Sequence, residues 1–167
     1  MLFTPRPKGL GKENFLKLND QEEVTGIFKG DIHTFKQHWA NGKSFECVGQ
    51  ECSYCKCRGQ DCSCEGDSKK HYPGFRFRIN FVTPNEGQWK AKIFEGGGEL
   101  YDFLTSLDKK FDLTRTLIDI TRRGMKQETK YDILPRVDQP ITQEMAAKIQ
   151  AAPLLALSTV GDASSAA

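Results

Sequence analysis

All six cysteines of the chain fall in one window, at Cys47, Cys52, Cys55, Cys57, Cys62 and Cys64, with His38 before it and His71 after it. Thiolate and imidazole are the groups that hold zinc in a tetrahedral structural site. Cys52 and Cys55 have the C-x-x-C spacing at which a tight turn brings two sulfurs onto one ion, and Cys47 is near enough to join them. His38, Cys57, Cys62, Cys64 and His71 are each available as the fourth ligand, and those left over could form a second site or remain thiols. A window of this length with few aliphatic residues cannot bury enough apolar surface to order itself. Bound zinc would supply that free energy, on the order of 10 kcal/mol in small zinc modules. The reading is therefore structural zinc. The H-x-E and P-C-x-x-C signature of zinc deaminases is missing. The Cys52–Cys55 spacing also suits a redox dithiol, but the other thiols crowd it and no helix evidently starts there.

The elements that carry this window must come from a chain of 167 residues, enough for one domain with a real core. No apolar run approaches the roughly 18 residues of a membrane-spanning helix. The N-terminal Met1-Leu2-Phe3-Thr4-Pro5-Arg6-Pro7 lacks the apolar core of a signal peptide. Together these give a cytoplasmic expectation (the host cytoplasm, were the chain phage-encoded), and in that reducing compartment clustered thiols more often ligate metal than pair as disulfides.

Residues 1–14, with Pro5, Pro7, Gly9, Gly11 and Arg6, Lys8, Lys12, read as a flexible basic arm, and 15–137 as the folded domain. Residues 15–29 are extended, broken near Asn19-Asp20, with Gly26 as a bend or bulge. Gly30-Asp31 reads as a turn, and 32–40 as a short helix or irregular loop. Phe75, Phe77, Ile79 and Phe81 alternate with Arg76, Arg78 and Asn80, which predicts a half-buried strand over 75–83. Trp89, Ala91 and Ile93 alternate with Lys90, Lys92 and Phe94 over 88–95, so Pro84-Asn85-Glu86-Gly87 should close a hairpin with paired basic faces. After Gly96-Gly97-Gly98, residues 99–111 place Leu100, Phe103, Leu104, Leu107 and Phe111 on one helical face. Two further strands follow at 115–122 and 128–134. Residues 138–167 read as a flexible tail outside the domain, with a possible short helix over 141–151. The fold class is therefore mainly β: a five-stranded OB-fold barrel with one helix between strands three and four, and a zinc-binding insertion (38–72) between strands one and two.

Net charge is only +2, yet the expected strands are rich in cations and the tail is mildly acidic. Single-stranded nucleic acid needs a cationic groove for phosphates and aromatic faces for bases. Arg76, Arg78, Lys90 and Lys92, with Arg122 and Arg123, are the phosphate candidates. Trp39, Tyr54, Tyr72, Trp89 and Phe94 are the stacking candidates, whereas Phe75, Phe77 and Phe81 are read as core.

These pieces together resemble the OB-fold single-stranded DNA-binding proteins of tailed bacteriophages that carry a zinc-binding insertion. The resemblance runs over residues 15–136 through G-I-F-K-G-D (26–31), F-K-Q-H-W (35–39), C-x4-C-x2-C (47–55), F-R-F-R-I-N-F-V (75–82), K-I-F-E (92–95) and I-T-R-R-G (120–124). It implies sequence-nonspecific protection of single-stranded DNA in phage replication or recombination, without catalysis, and it favours His38 as the fourth ligand beside Cys47, Cys52 and Cys55. Cys57, Cys62 and Cys64 exceed the usual set. The tail, a candidate contact for replication or recombination proteins, lacks a dense acidic tip. The competing reading is a zinc-stabilised adaptor that docks proteins in a replication or transcription complex.

Overall fold

A computed structural model describes residues 10–40, 43–47 and 74–158. Five antiparallel strands follow one another in a single sheet, β1 (Glu23–Ala40), β3 (Gly74–Asn85), β4 (Gln88–Gly97), β5 (Ile118–Arg123) and β6 (Lys130–Pro135), in the spatial order β4-β3-β1-β5-β6. A short β2 (Lys43–Glu46) pairs with the end of β1. Helix α1 (Gly98–Phe111) links β4 to β5, and α2 (Gln143–Ala151) follows β6. The sheet is not closed into a barrel: β4 and β6 are its two edges.

β1 is the axis of the fold because it serves both halves of the sheet. Its start pairs with β5, from Glu23 opposite Thr121 to Gly26 opposite Ile118. From Ile27 onward it pairs with β3. The Gly30-Asp31 pair, expected as a turn, instead marks a shift of register between Lys29 and His33, and the strand runs on to Ala40. Gly30 takes φ +81°, the left-handed conformation that bends a strand at a bulge without side-chain clash. The short helix or loop expected over 32–40 is thus strand.

The alternation of β3 and β4 holds, but the two strands meet in the opposite parity from that expected. Glu86 and Gly87 both have positive φ, as a two-residue type I′ hairpin requires. Asn85 therefore faces Gln88, Phe81 faces Lys92 and Arg78 faces Glu95. Because side chains alternate with period two, Arg76 and Arg78 share a face with Trp89, Ala91 and Glu95, while Lys90 and Lys92 share the other with Phe77, Phe81 and Phe94.

That second face is the inner one. Phe28, Phe77, Ile79, Phe81, Phe94, Ile118, Ile120 and Ile133 form the main core, joined by Leu18, Leu104 and Leu113. α1 covers it with Leu100, Tyr101, Leu104 and Leu107, whereas Phe103 and Phe111, expected on that helical face, are 47% and 36% exposed. The ring centroids of Phe94 on β4 and Tyr131 on β6 are 5.3 Å apart, so the edge strands meet through side chains without pairing. The segment before β1 is tied to β4 and to β5. Phe15 bridges to Ile93, Leu16 N–H donates to the Ile93 carbonyl at 2.8 Å, and Arg122 Nη1 donates to the Leu18 carbonyl at 2.6 Å.

The outer face has its own small core of Ile27, Val82, Ala91, Ile149 and Ala152, with Trp89, Ile141, Met145 and Leu155 packed against it. The short helix read over 141–151 forms, but residues 141–158 are docked on the sheet and do not hang outside the domain. Ile27, Val82 and Ala91 leave an apolar strip on a face that also carries charge, and Ile141, Met145 and Ile149 match it at helical spacing.

Candidate nucleic-acid interface

Arg78 is held on every side. Its Nε donates to Glu95 Oε2 at 2.6 Å, Nη1 lies 3.6 Å from Glu46 Oε2, and Nη1 donates to the Leu157 carbonyl at 3.1 Å. The guanidinium carbon sits 4.2 Å from the centroid of Phe35, and the side chain is 12% exposed. Arg76 shares Glu95, with Nη2 donating to Oε1 at 2.8 Å, and is more open. The expected cationic face is thus largely neutralised by Glu46 and Glu95 and overlaid by the C-terminal segment.

The other expected contacts divide in the same way. Phe94 is 2% exposed in the main core, so it is no stacking platform; its face is the inner one, as the hairpin parity dictates. Trp89 is half-buried against α2. Lys90 is exposed, and Lys92 Nζ donates to the Glu13 carbonyl at 2.7 Å. Arg123 pairs with Asp132 at 2.7 Å and also donates to Gln21. Arg122 donates to Leu18 and, through Nη2, to Thr129 Oγ1 at 3.1 Å. Trp39 lies on β1 opposite Ser44. The Trp39 side chain, and Cys52, Tyr54, Cys55, Cys57, Cys62, Cys64, His71 and Tyr72 entirely, lie outside the described residues.

The open seam between β4 and β6 gives a cleft of about 1460 Å³. Arg76, Glu95 and the glycines leading into α1 line it from the β3–β4 side, and Arg122, Lys126, Lys130, Tyr131 and Asp132 from the β5–β6 side; Leu16 to Asn19 and Phe103 also line it. Two of the expected phosphate contacts, Arg76 and Arg122, therefore come together here, while Arg78, Lys90 and Lys92 do not. Lys126, Lys130, Phe103 and Tyr131 are not among the binding residues expected from the sequence, where Phe103 is read as part of the apolar face of the helix. Lys126 and Lys130 follow the Arg123-Gly124 turn, and the run of cations there was the available signal.

Two candidate zinc ligands lie within the described residues. His38 faces Phe45 across the β1–β2 ladder, and Cys47 N–H donates to the Lys36 carbonyl at 2.7 Å. This register puts His38 and Cys47 on the same face of the hairpin as diagonal neighbours. His38 is 2% exposed, and burial lowers its pKa, which favours the neutral imidazole that binds metal. Among the described residues no group of three or more His, Cys, Asp or Glu side chains is placed to hold a metal. Also among them, no helix is long and apolar enough to cross a membrane.

No protein-family model, curated protein or solved structure matches this chain.

Proposed function

We propose that the chain is a non-enzymatic, sequence-nonspecific single-stranded DNA-binding protein of the OB-fold type, working in phage DNA replication or recombination. What carries the reading is the strand order β4-β3-β1-β5-β6 with a helix between β4 and β5, which is the order of an OB barrel opened at one seam. The seam supplies a groove lined by Lys17, Arg76, Arg122, Lys126 and Lys130 against Glu22, Glu95, Glu99 and Asp132, with Phe103 and Tyr131 beside them; cations for phosphates and aromatic faces for bases are what single-strand binding needs. Zinc would be held by His38, Cys47, Cys52 and Cys55, ordering the insertion between β2 and β3 next to the sheet. The adjacency of His38 and Cys47 fits two ligands of such a site.

The test is anisotropy titration of labelled oligo-dT and of a duplex at several salt concentrations. Tighter binding of the single strand, weakening steeply with salt, is the expected result. Equal affinity for the duplex overturns the reading. Undetectable binding of any oligonucleotide at low salt would leave the adaptor reading in its place.

A further inference from the structure

Residues 149–158 run over the outer face of β1 and β3, and the polar side chains of the sheet hold them mainly through their main chain. Asn80 Nδ2 donates to the Leu155 carbonyl at 3.1 Å, and Leu155 N–H donates back to Asn80 Oδ1 at 2.9 Å. Lys29 Nζ donates to the carbonyls of Ile149 at 2.8 Å and Gln150 at 3.1 Å, and Arg78 Nη1 to that of Leu157. Apolar anchorage is confined to the small outer core, where Ile149 and Ala152 are buried and Leu155 packs against them, while Leu154 is 44% exposed. The main core contains no residue beyond Ile133, so this segment can lift without breaching it. The connection from β6 to α2 is exposed over Val137 to Pro140.

What lies alongside is suited to bases. His33 and Phe35 are stacked, with ring centroids 5.3 Å apart and planes within 14°. They stand opposite Arg78 and Arg76 in the β1–β3 register, on the same face as Asn80. Glu46 and Glu95 hold the Arg78 guanidinium over Phe35, its carbon 4.2 Å from the ring centroid, so the group released when Leu157 departs is a directed donor. Asn80 holds a donor and an acceptor side by side. The main-chain N–H and carbonyl of Leu155 satisfy that pair, and the edge of a nucleobase presents the same complement. Lys29 supplies a second freed cation.

We propose that His33, Phe35, Arg78 and Asn80 form a strip that binds single-stranded nucleic acid, and that residues 149–158 are its intramolecular occupant, a strap that must lift before the strip is used. The inference rests on the nucleic-acid reading above but concerns a different face from the seam. A covered site binds with its intrinsic affinity reduced by the fraction of molecules that are open. Weakening the strap therefore tightens binding.

Two full-length variants leave the strip untouched. Leu155→Pro removes the N–H given to Asn80, and Ala152→Glu places a carboxylate in the apolar contact. With labelled oligo-dT, Leu155→Pro should bind about 5-fold more tightly than the parent, the equivalent of one hydrogen bond lost from the closed state, and Ala152→Glu should also bind more tightly. Adding His33→Ala to Leu155→Pro should abolish the gain. A cooperative melt of each variant verifies that the main core is intact. If the parent binds oligo-dT and both loosened, cooperatively melting variants bind no better, the strap is overturned and the single-strand reading stands. If they gain no affinity but form dimers by light scattering, the strap exchanges between copies and the strip is not a nucleic-acid site. If neither parent nor variants bind at low salt, both proposals fall.

Discussion

Arg78 and Glu95 face each other across the β3–β4 hairpin with Nε 2.6 Å from Oε2, both largely withdrawn from solvent. An arginine so placed is a structural node first. Removing it would leave Glu95, 19% exposed, with Arg76 alone and Glu46, 12% exposed, with only His33 of its two nitrogen partners. The cost of breaking such a pair on one side reaches about 3–5 kcal/mol when fully buried, and partial solvation reduces it. Arg78→Ala should therefore destabilise the fold by about 2–3 kcal/mol in urea unfolding. A loss within about 0.5 kcal/mol would show that Arg78 is solvated and available to ligand in the resting state.

The sequence made much of this architecture legible, and its misreadings have definite causes. Alternation in Phe75–Phe81 and Trp89–Phe94 located β3 and β4, and the glycine run before a 3.6-residue pattern located α1. Parity across the hairpin depends on whether the turn holds an odd or an even number of residues, and only an odd number would face the arginines with the lysines. Glu86-Gly87 with both φ positive makes it two, so the arginines and lysines part to opposite faces. Gly30-Asp31 has turn composition, but a glycine at φ +81° equally serves a bulge, and only pairing with β3 decides between them. The docked C-terminal segment had a signal that went unused: apolar Ile27, Val82 and Ala91 on the outer face needed a cover. The seam cleft was not legible, because it arises from two edges far apart in sequence.

Gly26 shows how closely β1 and β3 approach. A Cβ there would lie 2.5 Å from the Val82 carbonyl oxygen and 2.6 Å from the Phe81 ring, and neither backbone nor buried ring can give way cheaply. Gly26→Ala should cost about 2–3 kcal/mol through overpacking. The check is a urea denaturation midpoint against the parent. Gly74→Ala, where nothing lies within 4 Å, is the matched control and should be near neutral. Equal effects at the two positions would mean the strands relax apart and the close approach is not required.

Metal content gives a separate test of the insertion. Protein purified with thiols reduced should carry zinc, and His38→Ala or Cys47→Ser should lower the bound metal. Because ligand binding stabilises by mass action, chelation should reduce stability by about 4 kcal/mol where free zinc exceeds Kd a thousandfold. Hydrogen exchange should quicken first at 36–40 and 43–47, where β1 and β2 pair next to Cys47. Metal-free protein with the same exchange pattern and melting temperature would sink the zinc assignment.

The seam makes the sharpest claim about charge. Lys126 and Lys130 are exposed on its wall, and neither side chain anchors the core. Arg122, by contrast, ties β5 to Leu18 and Thr129, so its loss would confuse folding with binding. Lys126→Ala and Lys130→Ala should each leave stability within about 0.5 kcal/mol. On single strands, each cation that contacts a phosphate contributes about 0.7 to the log–log salt slope. The double variant should therefore flatten the slope by about 1.4 if both contact phosphate. Lys109→Ala, on the exposed side of α1, should leave it unchanged. Phe103→Ala should weaken binding by about 1–3 kcal/mol if a base stacks there, without altering the slope. A double lysine variant with the parent's slope would remove the seam from the DNA path and return attention to the outer face of β1 and β3.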